Sequence, residues 1–534
     1  MEKTWSLRIF NIIYKITEAL TKIVNPKGHT IQSLIDHHAD NIPRQNYVVY
    51  PETGKSFSWS EFKQRVQSVT CYLYEKGLSR KVPVAGLLGN GQTALELFLG
   101  GMYGGFQILL ANPLSGRDIL AYVLEHSETK TLFVAHQYQK LAEEALSQLT
   151  NKPEIIMNRE DELPVWDENV PVKKLLKYIP TPKEKALLIY TSGTTGRPKG
   201  VIHTHESLLY GGWNTEIAHE LKPHDKSLCV LPLYHINAQV VSVMGTLVNG
   251  SGLVMPKRFQ ASKFWSWVVD QKCTWFSVVP TIISYLMNIE EGTKLKSKMG
   301  RVRFGRSASA ALPPALQKAF EERFGIKVVE TMGITETASP LLSNPIDPKL
   351  HKLGSPGIAY GNEVRIADAD GTEVSLNTES EIQVRGLNLM TGYLKNPKAT
   401  QEAFTPDGWY RTGDLGKMDS EGYVFVTGRL KELIIKGGEN ISPREIDDVL
   451  YKHKSVLEAA AFPLPDNHYG QTIAAAIAPR PGENVPESEL RKLCLDALGE
   501  YRSPAHYFFL NELPKGPSGK IQRLKLTDQY SSSK

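Results

Sequence analysis

The amino-acid sequence predicts an α/β protein in which a large N-terminal domain precedes a smaller α+β domain. From about residue 30 to residue 290, helical and strand patterns alternate, as is typical of folds with largely parallel strands. From 354 to 428, short alternating strands separated by Gly, Asp and Asn predict a β-rich subdomain. About 105 residues follow Gly428, which is enough for a small independent domain. The length of 534 residues also exceeds that of one ordinary core.

Hydrophobic periodicity places the individual elements along the chain. Apolar residues at helical spacing predict helices, and Pro443 suits the first turn of one of them. Short apolar runs bounded by polar residues predict buried strands. The predicted helices cover 31–38, 59–76, 95–104, 443–453 and 487–498. The predicted strands cover 82–88, 107–110, 187–191, 227–231, 252–255, 363–366, 381–385, 457–463 and 472–478.

Composition argues against several classes of protein. Hydrophobic residues make up 41% and charged residues 22%, which is ordinary for a soluble globular enzyme. The net charge of +5 is small for this length, so a nucleic-acid partner is not expected. The four cysteines form no CxxC pair, which argues against a disulfide framework or a zinc site and favours a reducing, cytoplasmic setting. No run reaches the roughly 18 apolar residues that a transmembrane helix needs.

Residues 1–28 are predicted to form an amphipathic helix ahead of the main domain. Polar residues recur at steps of three and four on a narrow stripe, and apolar side chains of residues 5–24 fill the rest of the helix surface. Because Arg8, Lys15 and Lys22 lie beside it, this apolar face suits peripheral contact with a membrane surface. The alternative is that the face packs on the protein body or on a second subunit, as in a homodimer.

The segment Thr191-Ser-Gly-Thr-Thr-Gly-Arg-Pro-Lys-Gly200 predicts a phosphate-binding loop. Glycines let backbone N–H groups approach phosphate oxygens, hydroxyls add donors, and the lysine adds a positive charge. The loop is not a Walker A motif, because only two residues separate Gly193 from Gly196. The residues expected to contact the phosphates of ATP are Thr191, Ser192, Gly193, Thr194, Thr195, Gly196 and Lys199.

This string resembles the phosphate-loop signature of the adenylate-forming superfamily, the acyl-activating enzymes that bind AMP. That family includes acyl-CoA synthetases, which this chain resembles most, as well as luciferase and the adenylation domains of peptide synthetases. Further segments resemble the other signatures of the family in the expected order, and the resemblance covers about residues 30 to 526. These segments are the acyl-pocket motif at 232–235, the adenine and magnesium segments at 307–312 and 331–337, the ribose motif at 410–416, the hinge and thioester loop at 428–440, and the mobile lysine loop at 517–521.

The resemblance implies a fold and a division of the chain. An AMP-binding N-terminal domain would cover residues 29–428, built from stacked α/β sheets plus a small β-barrel-like subdomain at 354–428. The C-terminal α+β domain, residues 429–534, would be mobile and would turn about a hinge at Lys431. The helix at 1–28 would precede both domains.

The resemblance also implies roles for the residues around ATP. Asp414 would accept hydrogen bonds from both ribose hydroxyls, with Arg429 beside it. Glu336 and the Thr191 hydroxyl would hold Mg²⁺ together with phosphate oxygens. Lys520 would bridge the carboxylate of the acid and the α-phosphate, and its charge would stabilise the adenylation step. The other implied ATP contacts are Ser309, Ala310, Thr331, Met332, Gly333 and Thr335.

A second half-reaction with coenzyme A is implied as well. Rotation at Lys431 would withdraw Lys520 after acyl-AMP has formed and would admit the pantetheine thiol. His235 would act as a gate to the acyl or pantetheine channel, and a purely structural histidine is the alternative. The implied thioester-forming loop consists of Lys436, Gly437, Gly438 and Glu439.

The sequence departs from the family pattern in the adenine segments. Met332 stands where the family usually has a tyrosine that stacks on adenine, and the methionine sulfur can still pack against an aromatic ring. Ala308 and Ala311 replace the usual Gly and Pro. These changes predict weaker adenine contacts and no loss of the reaction.

The acid substrate is the least constrained part of the prediction. No acidic residue follows His235 in the pocket motif, so an amino acid is not expected. Apolar residues such as Val278 and Val279, together with the N-terminal helix, favour a fatty or other apolar acid. The alternatives are a ligase that loads an acyl-carrier protein and a non-catalytic nucleotide-binding protein.

Overall fold

The described part of the chain folds into four β-sheets with helices packed against them. The computed structural model describes residues 25–158, 178–191, 197–516 and 521–531. The membrane or subunit contact expected at residues 5–24 therefore lies outside the described residues. The α/β class predicted from the sequence is confirmed. Among the helices that the structure describes, none has the length and apolar character needed to cross a membrane.

All predicted helices and strands overlap elements of the same type. The strands are β1 (Asn46–Tyr50), β2 (Lys55–Ser58), β3 (Val84–Leu87), β4 (Ile108–Leu110), β5 (Thr131–Ala135), β6 (Glu154–Asn158), β7 (Lys185–Thr191), β8 (Lys199–Thr204), β9 (Lys226–Cys229), β10 (Gly252–Val254), β11 (Trp275–Val278), β12 (Phe304–Ser307), β13 (Val328–Met332), β14 (Leu342–Ser343), β15 (Ile358–Ala359), β16 (Glu363–Ala367), β17 (Ser380–Arg385), β18 (Gly392–Tyr393), β19 (Tyr410–Met418), β20 (Val424–Arg429), β21 (Ile434–Lys436), β22 (Glu439–Ile441), β23 (Val456–Asp466), β24 (Gly470–Pro479) and β25 (His506–Phe509).

The helices fill the connections between these strands. They are α1 (Ile31–Asn41), α2 (Trp59–Glu75), α3 (Gln92–Tyr103), α4 (Arg117–Ser127), α5 (Gln139–Leu146), α6 (His205–His219), α7 (Gly245–Asn249), α8 (Ala261–Asp270), α9 (Pro280–Met287), α10 (Glu290–Leu295), α11 (Pro314–Phe324), α12 (Pro397–Glu402), α13 (Pro443–Leu450), α14 (Glu487–Arg502) and α15 (Arg523–Ser531). A π-helix, Asn237–Met244, runs directly into α7.

The two large sheets carry the predicted nucleotide motifs at strand ends. The nine-stranded sheet has the order β15-β14-β13-β12-β11-β9-β10-β1-β2, and its central strands are parallel and buried. The seven-stranded sheet has the order β18-β8-β7-β4-β3-β5-β6, in which β7 and β8 form an antiparallel hairpin. Loops at the carboxyl ends of parallel strands are the usual place for a ligand in such sheets.

Two smaller sheets follow in the C-terminal third of the chain. Strands β16, β17, β19 and β20 form an antiparallel sheet that lies within the segment predicted to be rich in β structure. The last sheet has the order β22-β21-β24-β23, with β25 parallel to β24, and Ile434, Ile446 and Ile473 belong to a buried apolar cluster around it. Helix α14 is interrupted at Gly499, whose φ of 74° and ψ of 169° are not helical.

Helix α6 packs unusually close to its neighbours because it contains two adjacent glycines. A Cβ atom on Gly211 would lie 2.3 Å from the carbonyl oxygen of Ala338, and one on Gly212 would lie 2.7 Å from that of Met244. Ala338 has a left-handed φ of 43° and follows Glu336 by two residues. The helix therefore supports the turn that carries one of the predicted catalytic carboxylates.

Replacing Gly211 with alanine should disturb this contact. The added methyl group must displace backbone, so we expect Gly211→Ala to lower the free energy of unfolding by about 1–3 kcal/mol. Thermal unfolding measures the effect. Gly300→Ala is the matched control, because a Cβ atom there meets nothing within 4 Å. Equal melting temperatures for the two variants would contradict the packing argument.

Glu216 on α6 makes stability depend on pH. The side chain is buried and accepts a hydrogen bond of 3.0 Å from Asn249 Nδ2, and burial raises its pKa from 4.5 to about 8. The folded chain keeps this proton at pH values where the unfolded chain has lost it, so stability falls as pH rises from about 4.5 to 8.

Glu216→Gln should remove this dependence. We expect the wild-type melting temperature to fall between pH 5 and pH 8, with at most about 1.4 kcal/mol lost per pH unit through this group, and the variant to show a flatter profile. Unfolding scans at steps of half a pH unit test this. Glu322→Gln, which changes an exposed carboxyl, should follow the wild-type profile.

Candidate active site

A cavity of about 800 Å³ lies between the nine-stranded sheet and the C-terminal sheet. Seven residues predicted to bind ATP line it, although they come from four separate sequence segments. The same wall contains Lys515, Ile521 and Arg523 from the C-terminal part of the chain. The seven predicted ATP-binding residues that line the cavity are Ser309, Ala310, Thr331, Met332, Gly333, Asp414 and Arg429.

Asp414 and Arg429 form an ion pair across two adjacent strands. They are register partners on β19 and β20, and Arg429 Nε lies 2.6 Å from Asp414 Oδ1. The carboxylate is 4% exposed, and its charge raises the pKa of Arg429. A buried carboxylate held against a guanidinium is fixed in both position and charge.

Glu336 is tied to the lysine of the phosphate loop through a tyrosine. Tyr393 donates a hydrogen bond of 3.0 Å to Glu336 Oε1, and its hydroxyl lies 3.3 Å from that of Tyr410. Lys199 Nζ lies 4.7 Å from the centroid of the Tyr393 ring. The lysine, the ring and the carboxylate thus form one contiguous cluster, and Tyr393 was not among the predicted residues.

The charge of Glu336 is set by competing effects. Burial raises its pKa, while its hydrogen bonds and the positive charges of Arg429 and Lys199 oppose that rise. No cluster of three His, Cys, Asp or Glu side chains suited to a metal occurs within the described ranges. One carboxylate beside phosphate oxygens is the ligand set that Mg²⁺ prefers over an all-protein cage, so the residues present fit this ion.

The two ends of the predicted phosphate loop are held by the β7–β8 hairpin. Thr191 and Lys199 are register partners, and Tyr122 donates a hydrogen bond of 3.2 Å to the carbonyl of Pro198. The residues between these ends that were predicted to touch phosphate lie outside the described part of the chain. They are Ser192, Gly193, Thr194, Thr195 and Gly196.

The backbone carbonyl of Thr335 contacts a buried histidine. His203 Nε2 lies 2.7 Å from the carbonyl oxygen of Thr335, and Nδ1 lies 3.0 Å from the hydroxyl of Ser207. Burial lowers the pKa of His203 to about 4, so the ring is neutral near pH 7. His203 therefore positions the turn that contains Thr335 and Glu336.

His235 lies in the turn that leads into the π-helix. Its backbone N–H donates to the carbonyl of Pro232 at 3.0 Å, and its ring makes an edge contact with Tyr234 at 4.7 Å between centroids. Asn237, two residues later, donates from Nδ2 to Ser309 Oγ at 3.4 Å. The π-helix that follows the acyl-pocket motif therefore contacts the adenine segment directly.

The predicted hinge and thioester loop lie on the C-terminal side of Arg429. Lys431 is in a short 3₁₀ turn, and Lys436 is buried with its Nζ donating to the carbonyl of Tyr501 at 2.6 Å. Gly437 and Gly438, with φ of 56° and 87°, form the turn between β21 and β22. Among the described residues that line the cavity, none belongs to the segment from Lys436 to Glu439.

The segment with Lys520 begins and ends at the cavity. Lys515 and Ile521 pair as an isolated antiparallel bridge, and both line the cavity wall. Lys515 also forms ion pairs of 2.9 Å with Glu458 and Glu512. Lys520 itself lies outside the described residues.

Known proteins resemble this chain along most of its length. Residues 35–394 match the family described as AMP-binding enzyme, and residues 445–520 match the AMP-binding enzyme C-terminal domain. A sulfoacetate–CoA ligase of Cupriavidus necator is 44% identical over 499 residues, covering 93% of this chain and 97% of the relative. An oxalate–CoA ligase of Arabidopsis thaliana is 33% identical and covers 84% of this chain and 90% of the relative.

A solved structure shows the same architecture. MatB of Rhodopseudomonas palustris with bound ATP superimposes with a TM-score of 0.84 at 26% identity, covering 94% of this chain and 99% of that one. Its similarity extends over both the N-terminal sheets and the C-terminal sheet. This chain belongs to the AMP-binding enzyme family, the adenylate-forming enzymes, and is an acid–thiol ligase that uses ATP and coenzyme A.

Proposed function

We propose that both half-reactions of this ligase take place at the cavity between the N-terminal and C-terminal sheets. The acid and ATP would first give acyl-AMP and pyrophosphate, and the thiol of coenzyme A would then displace AMP to give the thioester. The observation that carries this proposal is that the Asp414–Arg429 pair and the ends of the Lys520 segment line one cavity. The residues proposed to contact the ribose of ATP, and the residues that flank the proposed catalytic lysine, therefore line the same cavity.

In the adenylation step, each residue acts on a different part of ATP. Asp414 accepts hydrogen bonds from the ribose hydroxyls. The ion pair with Arg429 stabilises the negative charge of the Asp414 carboxylate. Lys199 and the loop that begins at Thr191 contact the phosphates. Glu336 and the Thr191 hydroxyl would hold Mg²⁺, which would supply positive charge that neutralises the phosphates. Lys520 stabilises the charge that develops between the carboxylate and the α-phosphate.

The thioester step requires a different arrangement of the C-terminal sheet. The hairpin from Lys436 to Glu439 does not line the cavity among the described residues, whereas Lys515 and Ile521 do. A rotation of the C-terminal domain about Lys431 would move Lys515 and Ile521 away from the cavity and bring the hairpin from Lys436 to Glu439 to it. His235, in the acyl-pocket motif, would then gate the approach of the thiol.

The identity of the acid has two competing candidates. The two relatives described above are named for sulfoacetate and oxalate, which are short acids with a second anionic group. These names favour a short doubly charged acid for this chain. The fatty or other apolar acid expected from the sequence is the second candidate, supported by apolar cavity residues such as Val279 and Leu316.

Pyrophosphate release tests both the reaction and the acid. The panel contains short dianionic acids, short acids with an uncharged chain, aromatic acids and long-chain acids. We expect one of these four classes to give pyrophosphate release, and the same class to give consumption of the free thiol of coenzyme A. Acyl-AMP formation without thiol consumption would instead favour a carrier protein as the acceptor. No release with any acid would refute the proposal.

Lys520→Ala should separate the two half-reactions. We expect adenylation to slow by about 100- to 1000-fold, because a cation is lost where charge develops, while thioester formation from supplied acyl-AMP stays within a few fold of wild type. Single-turnover assays of each step measure this. Lys525→Ala removes an exposed lysine nearby and should change neither step. Equal losses in both steps would contradict the role given to Lys520.

Tyr393→Phe should weaken adenylation through Glu336. Loss of the hydrogen bond to Glu336 predicts a fall of about tenfold in the rate of ATP–pyrophosphate exchange. Tyr74→Phe is the matched control, since it removes a tyrosyl hydrogen bond of 2.7 Å to the carbonyl of Gly104, which lies outside the site. If the two variants lose the same activity, the Tyr393 hydroxyl has no specific part in adenylation.

A further inference from the structure

Two aromatic residues on one face of α4 contact both ends of the phosphate loop. Tyr122 and His126 are four positions apart, which places them on the same side of the helix. Their rings stack with 5.3 Å between centroids. The Tyr122 hydroxyl donates to the carbonyl of Pro198 at 3.2 Å, at the end of the loop. His126 Nδ1 lies 2.8 Å from the hydroxyl of Tyr190, just before the loop begins.

Each of these two hydrogen bonds ends next to a residue that we propose to contact ATP. Tyr190 directly precedes Thr191, and Pro198 directly precedes Lys199. Thr191 and Lys199 are register partners in the hairpin of β7 and β8. A displacement of Tyr190 or Pro198 would therefore shift a neighbouring group that is proposed to bind the phosphates.

The ring of Tyr190 is confined between α4 and β8. Its centroid lies 5.8 Å from that of His126 and 6.4 Å from that of Tyr122, and both contacts are edge-on. A Cβ atom on Gly200 would lie 3.2 Å from Tyr190 Cζ, so the ring lies close against β8 at this glycine. On the other side of Tyr122, the guanidinium carbon of Arg197 is 5.3 Å from the ring centroid. The two α4 residues and the hairpin together set the position of Tyr190.

The hydrogen bond between His126 and Tyr190 joins two neutral groups. Burial and the positive charge of Lys395 lower the pKa of His126, and the carboxylate of Glu128 opposes them. The imidazole is therefore neutral near pH 7, with one nitrogen that donates and one that accepts. Burial raises the pKa of Tyr190, so its hydroxyl keeps the proton. Lys395 also donates to the carbonyl of His126 at 2.9 Å and lies 2.8 Å from Glu128, which fastens the end of α4.

We propose that Tyr122 and His126 are positioning residues for ATP, which act by holding the two ends of the phosphate loop in place. The proposal rests on the proposed binding of the ATP phosphates by Thr191 and Lys199. Because pyrophosphate leaves when acyl-AMP forms, the two residues act in ATP binding and adenylation and have no part in thioester formation. An aromatic cluster that served only folding would show no such difference between the two steps.

The experiment removes each hydrogen bond while it keeps an aromatic ring. Tyr122→Phe deletes the donor to the end of the loop, and His126→Phe deletes the partner of Tyr190. Calorimetry with ATP and Mg²⁺ in the absence of acid gives the Kd for ATP. Single-turnover assays give the rates of adenylation and of thioester formation from supplied acyl-AMP. Tyr74→Phe is the matched control, since it removes a tyrosyl hydrogen bond to the carbonyl of Gly104.

Both variants should lose affinity for ATP. We expect each to raise the Kd for ATP by about 5- to 30-fold, the size expected when one hydrogen bond that holds the binding loop is lost. Adenylation below saturating ATP should slow by a similar factor. The KM for the acid and the rate of thioester formation should change by less than about threefold. Tyr74→Phe should leave the Kd for ATP unchanged.

Two further variants separate positioning from packing. His126→Asn places an amide near the position of Nδ1, where it can hydrogen-bond to the Tyr190 hydroxyl, and it should restore part of the affinity for ATP. Tyr190→Phe removes the same bond from the other side. The double variant with His126→Phe should therefore bind ATP no more weakly than the weaker single variant. His126→Asn and Tyr190→Phe decide the matter if His126→Phe does not fold.

Three results would overturn the positioning role and leave the ligase reaction in place. The first is an unchanged Kd for ATP in both Tyr122→Phe and His126→Phe. The second is an equal loss in adenylation and thioester formation, which would make the cluster an element of folding only. The third is a double variant whose loss is the product of the two single losses. A wild type that binds ATP and forms no acyl-AMP with any acid would instead count against the proposed function.

Discussion

The ion pair between Asp414 and Arg429 is the constraint on which the rest of the site depends. It joins neighbouring strands at the point where the β-rich segment ends, so the sheet register alone brings the two side chains together. The charge of Arg429 also reaches Glu336, where it opposes the effect of burial on that carboxyl. One strand pair therefore links the predicted ribose contact, the predicted metal ligand and the start of the C-terminal part of the chain.

The cluster of Lys199, Tyr393 and Glu336 shows how the two large sheets share one site. Tyr393 is on β18, a two-residue strand that pairs with β8 at the edge of the seven-stranded sheet. Its hydroxyl nevertheless bonds Glu336, which follows β13 of the nine-stranded sheet. A change in the relative position of the sheets would break this contact, so Tyr393 links the position of Glu336 to that of Lys199.

The sequence predicted the parts of the site that are encoded locally. Motifs such as 331–337 and 410–416 could be recognised from residue types and spacing, and the apolar runs located β3, β7, β9 and β10 to within a few residues. Strands β11, β12 and β13, in the middle of the nine-stranded sheet, were not predicted. Pairings between distant short strands could not be predicted, because two residues such as those of β18 carry no periodic signal. Tyr393 was missed for this reason.

The C-terminal sheet carries the glycine hairpin and the flanks of the lysine segment, the two parts that we propose to exchange at the cavity. Lys436 is fastened to Tyr501 by two reciprocal hydrogen bonds of 2.6 Å, which join the thioester hairpin to α14. Arg523, just after the Lys520 segment, bonds Asp447 on α13 and the carbonyl of Ala461 on β23, and lies 3.4 Å from Glu432.

The Lys436 hairpin and the residue Arg523 that follows the lysine segment are therefore both bonded to the C-terminal sheet or to helices packed on it. In the proposed exchange at the cavity, the sheet would turn together with the glycine hairpin and with the residues that flank the lysine segment. Glu432 adjoins Lys431, and its ion pair with Arg523 ties the base of the lysine segment to the residue that follows the proposed hinge. A turn at Lys431 would then move both segments together, which is the physical requirement for one cavity to serve two successive reactions.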